Sequence, residues 1–141
     1  MSHQDHLTAN KEAVTRFNRD VIERGDPDAF RALVADTFVN RTAPPGAPAG
    51  PDGFRAFFEG VLRPAFPDLR VEIHDQIAEG DKVTTRKTLR GTHRGDLFGI
   101  PPTGRSVAIE VVDIVRLEAG RYVEHWGVNT FPSVLADLRA G

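Results

Sequence analysis

The chain has 141 residues, enough for one domain with one core and too few for two. Forty per cent hydrophobic residues, with 18 basic against 20 acidic side chains and a net charge of -2, describe an ordinary globular chain and exclude the basic face that a nucleic-acid partner needs. There is no cysteine, so disulfides, thiolate metal sites and cysteine nucleophiles are excluded, and no apolar run approaches a membrane span or a secretory core, which makes the cytoplasm the expected compartment and a membrane partner unexpected.

Residues 1–9 are polar and carry His3 and His6, a spacing that could chelate a metal but more often marks a mobile terminus. We read them as a flexible N-terminus, with one domain over 10–141 and no metal site. From Asn10 the period is helical: Ala13, Val14, Phe17, Val21 and Ile22 share a face, and Gly25 supplies a stop. Asp26-Pro27 is a helix start, an N-cap acceptor followed by proline at the first helical position, and that helix is expected to end near Asp36.

Phe38–Arg41 reads as a short strand before a loop, Thr42–Pro51, rich in Pro, Gly and Ala. A third helix then starts near Pro51-Asp52 with the cleanest apolar stripe in the chain, Phe54, Phe57, Phe58, Val61 and Leu62. Pro64 and Pro67 are expected to end it.

From Arg70 the period changes to two. Val71, Ile73, Asp75 and Ile77 alternate with polar residues, Glu79–Lys82 turns the chain, and Val83, Thr85, Lys87 and Leu89 alternate with Thr84, Arg86, Thr88 and Arg90. After a connection through Gly91–Arg105, Val107–Leu117 forms a further strand, and Glu118-Ala119-Gly120 turns into the last one, Arg121–Asn129. Alternation there puts Glu124, Trp126, Val128 and Thr130 on one face and His125, Gly127 and Asn129 on the other, so that the first set could line a pocket, although a lone Trp is more often core. Helices first and antiparallel strands after predict an α+β domain with helices packed on one face of a curved sheet, whose open end is a natural ligand pocket.

Five motifs, Ala65–Leu69, Glu79–Val83, Gly91–Gly95, Gly99–Gly104 and Glu124–Trp126, in this order and spacing, resemble the SnoaL-like polyketide cyclases, or ester cyclases, of the NTF2-like superfamily. The resemblance runs from the first helix to Leu138. It implies a cone-shaped α+β barrel, frequently a homodimer through the outer face of its sheet, and cofactor-free ring closure by intramolecular aldol condensation with a pocket Asp as acid or base. Relatives in the superfamily include isomerases, dehydratases, epoxide hydrolases and proteins that only bind, so the fold alone does not choose.

Arg86, His93, Asp113, Arg116, His125 and Trp126 stand where the family has the same residue types. Two positions depart: Arg41 stands where members commonly have His, and Thr130 stands at the position of the catalytic Asp, where a hydroxyl cannot exchange protons near neutral pH. The catalytic candidates are therefore His93 as titratable group, Arg86 as donor to an enolate oxygen and Asp113 as orienting or basic partner, with Arg41, Phe58, Trp126 and Thr130 as substrate-binding candidates. For His93 the plainer role is a loop imidazole bonded to neighbouring backbone, and for Arg86 and Asp113 a cross-strand pair.

Gly91–Gly95 and Gly99–Gly104 lack the Lys-Ser/Thr ending of a phosphate loop and read as turns, so no cofactor is expected. Two functions follow: a cofactor-independent cyclase, or related isomerase or lyase, acting on a hydrophobic keto ester or polyketide-like molecule; or a non-catalytic binder of an apolar small molecule that has lost the family Asp. What discriminates them is whether another carboxylate, such as Glu110, Asp113 or Glu124, faces the cavity. Single-sequence alternation does not say which strand face is inside.

Overall fold

The structure is a computed structural model and describes residues 2–141. Helix α1 (His3–Arg16) begins well before Asn10, because the Ser2 hydroxyl accepts the Asp5 N–H at 3.1 Å and Asp5 places a carboxylate in the first turn. Its first turns are mostly exposed and carry no apolar stripe, which is why periodicity misses them. A π-helical stretch, Phe17–Glu23, continues the same rod until Gly25 takes a left-handed φ of 69°.

Helix α2 (Pro27–Leu33) is capped by Asp26, which accepts the Asp28 N–H at 2.9 Å. It stops at Leu33 rather than near Asp36, because Val34, β-branched and paired with Tyr122, already belongs to strand β1 (Val34–Asn40). Helix α3 (Pro51–Ala56) runs on through a second π-helical stretch, Phe57–Leu62, and a last turn, α4 (Arg63–Ala65). Pro64 falls inside that turn and the helix ends just after it.

Strands β2 (Arg70–Glu79), β3 (Lys82–Thr92), β4 (Ser106–Glu118) and β5 (Arg121–Asn129) follow, and the chain closes on α5 (Phe131–Ala140). Pattern reading leaves α5 unassigned; its apolar residues Val134, Leu135 and Leu138 are too few to stand out. The five-stranded sheet has the order β1-β5-β4-β3-β2. All its pairs are antiparallel except β1 with β5, and it is an open sheet rather than a closed barrel.

Helices cover one face of this sheet, and the core lies between them. Phe17 is its centre: its ring stacks on Tyr122 at 4.5 Å and meets Phe54 at 5.7 Å and Phe58 at 5.9 Å. Each such ring is worth about 1.5–3 kcal/mol on burial, so the helices are fastened to β5 chiefly by aromatic area. The other face of the sheet is polar in ladders, with Arg86 on Asp75 and Arg116 on Glu124, yet it also shows Ile77, Val112, Ile114 and Val128 to solvent.

Candidate active site

Strand register decides which polar residues meet under the helices. Thr85 on β3 lies opposite Asp113 on β4, and Asp113 lies opposite Gly127 on β5, so all three share the helix-covered face. Two residues along, Lys87 and His125 share it too.

The Asp113 carboxylate is only 6% exposed and takes two neighbours on one oxygen, with Lys87 Nζ at 3.2 Å and His125 Nε2 at 3.5 Å from Oδ2. Burial works to raise its pKa, but the adjacent Lys87 ammonium and the His125 ring outweigh it, and the group sits below the ordinary carboxylate range. Asp113 is therefore an anion at neutral pH. The same burial, with that anion nearby, pushes the Tyr122 phenol well above its usual value.

Lys87 is held from the other side by α1 and its continuation. Its ammonium donates to Asn18 Oδ1 at 2.7 Å, and Asn18 Nδ2 donates to the Val14 carbonyl at 2.8 Å. A buried lysine and a buried aspartate so linked exchange water for each other and for Asn18, which is the condition under which such a pair can be kept inside.

His125 is fixed by β1. Asn40 Oδ1 accepts from the Thr42 N–H at 3.2 Å and the Thr42 hydroxyl at 3.3 Å, so it is an acceptor, and His125 Nδ1 at 2.9 Å from it is the protonated nitrogen. Nε2 is the nitrogen that faces Asp113, 3.5 Å from Oδ2. The ring packs 5.1 Å from the Phe54 ring, on the apolar side of the site.

The residues named from sequence fall in different places. Asp113 is in this cluster. Arg86 is not: it pairs with Val112, so it points to the opposite face, where its Nε donates to Asp75 Oδ2 at 2.7 Å, and the expected Arg86–Asp113 grouping does not form. His93 is fully buried but past the end of β3, its N–H donating to the Arg105 carbonyl at 2.9 Å and its Nδ1 accepting the Thr103 N–H at 3.2 Å. Asp113 lies eight residues beyond Arg105 on β4, roughly 25 Å of extended strand, so His93 and Asp113 are not partners.

Arg41 stands at the rim, its Nε donating to Glu124 Oε2 at 2.7 Å on the outer side. Phe58 is part of the aromatic core. Trp126 is on the outer face, opposite Ile114, with the Lys82 ammonium 5.6 Å from its ring centre. Thr130 spends its hydroxyl on the Glu110 N–H at 2.9 Å and its own N–H on the Glu110 carbonyl at 3.0 Å, a clamp between the end of β5 and β4. Glu110 and Glu124 accordingly also lie outside the cluster, and of the three candidate carboxylates only Asp113 faces the helices.

Sequence reasoning missed Lys87, His125, Asn18 and Asn40 as site residues. A signal existed for Lys87, since a lysine standing in the apolar parity of Val83 and Leu89 is out of place unless paired. Among the described residues, no group of three or more His, Asp or Glu is arranged as a metal site, and no helix is long and apolar enough to cross a membrane.

A layer of helices over one face of an open, mostly antiparallel sheet, with a buried Asp–His pair between them, is the arrangement of an NTF2-like α+β fold. Within that class, the SnoaL-like polyketide cyclase profile matches residues 12–138, and the chain belongs to that family. Among solved structures, it is similar to a proposed SnoaL-like polyketide cyclase from Jannaschia sp. CCS1, with 26% identity over 100% of this chain and 99% of the other at a TM-score of 0.84. It is also similar to IdmH, a proposed polyketide cyclase from Streptomyces antibioticus, at 29% identity, 92% and 98% coverage and a TM-score of 0.79. AclR, a proposed hydroxylase from Streptomyces galilaeus, matches at 27% identity, 96% and 83% coverage and a TM-score of 0.82, which shows neighbours assigned to different chemistries on one fold. The chain has no match among curated proteins.

Proposed function

We propose that this protein is a cofactor-independent cyclase, or related isomerase or lyase, acting on a hydrophobic keto ester or polyketide-like molecule. In this reading His125 and Asp113 carry the proton transfer. Family membership supports the substrate class. The observation that carries the chemistry is the His125 Nε2–Asp113 Oδ2 contact at 3.5 Å in a buried setting, with Nδ1 fixed by Asn40.

In that reading His125 Nε2 removes a proton from the carbon next to a carbonyl, and the imidazolium so formed is stabilised by the Asp113 anion. Lys87 keeps Asp113 ionised, and Asn40 fixes the ring through Nδ1 so that Nε2 stays beside that carboxylate. Returning the proton to the rearranged product completes the cycle, and nothing in it requires an acid at Thr130. Of the residues grouped from sequence, this reading keeps Asp113 and leaves out His93 and Arg86.

The test is turnover of a panel of aryl and polyketide-like keto esters by wild type, His125→Ala, Asp113→Asn and His93→Ala. A general acid–base group contributes roughly 10² to 10⁴-fold, so the first two variants should fall by that factor while His93→Ala, if folded, keeps its rate. Equal rates in wild type and His125→Ala would overturn the assignment.

The second reading, an apolar-ligand binder without turnover, draws on Thr130, whose hydroxyl is committed to the Glu110 backbone where the family has its acid. It predicts thermal-shift hits from the same panel and no product. For assembly we propose a homodimer through the outer sheet face, because Val112 and Ile114 on β4 lie opposite Val128 and Trp126 on β5 and form one exposed apolar patch. Sedimentation showing a monomer at micromolar concentration would count against it. The cytoplasm is the compartment this proposal assumes.

A further inference from the structure

Gln76, Thr85, Asp113 and Gly127 form one straight row across four strands, each directly opposite the next. Three of the four end in a buried polar atom with no hydrogen-bond partner among the described residues: Gln76 Nε2, Thr85 Oγ1 and Asp113 Oδ1. Strands are about 4.8 Å apart, too far for neighbouring short side chains to bond directly in every case and close to the span that one bridging water covers. Buried donors and acceptors of this kind are almost always satisfied, if not by protein then by ordered water.

The two ends of the row lie on different strands, β5 and the edge strand β2. At one end Gly127 stands beside His125 and Asp113. At the other, Gln76 lines a surface groove with Thr8, Lys11, Glu12, Thr15 and Arg16 of α1. The Thr15 hydroxyl donates to Gln76 Oε1 at 3.2 Å, which leaves Nε2 as the buried end without a partner.

We propose that Gln76, Thr85 and Asp113 bind a file of ordered water that carries protons between the Asp113–His125 pair and the groove beside α1. Thr85 is the relay of the file, since a hydroxyl accepts one proton while donating another. Gln76 anchors the outer water by donating from Nε2. A proton leaving His125 Nε2 binds Asp113 Oδ2; a half-turn of the neutral carboxyl about its Cβ–Cγ bond presents that proton to the first water and restores the anion as it leaves, and the water and Thr85 Oγ1 each accept one proton and give one on the way out. The consequence is a rear exit that stays open when an apolar molecule fills the Gly127 side. The file does not depend on which reaction the site performs.

The test uses the unliganded, full chain. A high-resolution crystal structure should show water within hydrogen-bond distance of both Asp113 Oδ1 and Thr85 Oγ1, and water joining Thr85 to Gln76 Nε2; a dry row would overturn the proposal. Proton exchange at the His125 ring, followed by NMR on histidine labelled with ¹⁵N, should slow about tenfold in Thr85→Val, the factor that corresponds to one lost hydrogen bond. Gln76→Leu removes the outer donor at a half-buried position on the edge strand β2 and should slow exchange in the same way. Exchange at the wild-type rate in Gln76→Leu would overturn the route, whatever the fate of Thr85→Val.

Discussion

Gly127 stands directly opposite Asp113, and its missing side chain is what keeps the His125 ring in place beside that carboxylate. A Cβ at 127 would lie 3.0 Å from His125 Cε1, 3.3 Å from Nε2 and 3.6 Å from the Asp113 Cβ. The first two separations are tighter than ordinary contacts, so the ring would have to give by a few tenths of an ångström.

Gly127→Ala should therefore fold but displace His125. We expect shifted His125 ring signals by NMR and, if the protein turns over a keto ester, a rate loss of roughly tenfold or more, since sub-ångström misplacement of a reacting group is costly. Unchanged His125 signals would show that the site has room the structure does not indicate.

Lys87→Met leaves Asp113 buried without its cation. Breaking one partner of a buried pair typically costs about 3–5 kcal/mol, and replacing both partners by apolar groups recovers much of it. Denaturant unfolding should show a large loss for Lys87→Met and a smaller one for the double variant Lys87→Met/Asp113→Leu. Equal losses would mean that the pair is not coupled.

The depressed pKa of Asp113 sets an acid limit on stability. A carboxylate whose pKa is lower folded than unfolded contributes fully above the unfolded value, about 3.9, and loses that contribution as pH falls past it toward the folded value. Thermal unfolding from pH 6 downward should show wild type losing stability below about pH 4, with a shallower acid limb in Asp113→Asn. Parallel acid limbs in the two proteins would assign the loss to other groups.

The turn between β4 and β5 holds a correctable strain. Ala119 adopts a φ of 50° and Gly120 a φ of 77°, the two left-handed positions of a two-residue hairpin in which asparagine is preferred first. Ala119→Asn should raise stability by up to about 1 kcal/mol, roughly 3 °C in Tm for a chain of this size. A lower Tm would show that the alanine is held there by contacts the asparagine disturbs.

Much of this molecule was legible without coordinates. The change of period at Arg70 gave helices before strands, Asp26-Pro27 gave a helix start, and the ordered motifs from Ala65 to Trp126 gave the family. Local chemistry is enough for these, because caps, turns and periods are properties of short stretches. Where a short-range signal was weak, at Ser2–Ala9, at Val34 and in Phe131–Ala140, the boundaries were missed.

The site was legible only in part. Lys87 and Asp113 each stand in the apolar parity of their strand, and the alternation was plain. Whether they meet depends on the register of β3 against β4, which sets Thr85 opposite Asp113 and so brings Lys87 within 3.2 Å of it. Which parity faces inward depends on where α1 packs, and that choice turned Trp126, Glu124 and Arg86 outward and His125 inward. A strand's side chains alternate with a period of two, so sequence defines two sets on each strand with equal clarity. Only pairing between strands and the covering helices decides which sets share one buried space.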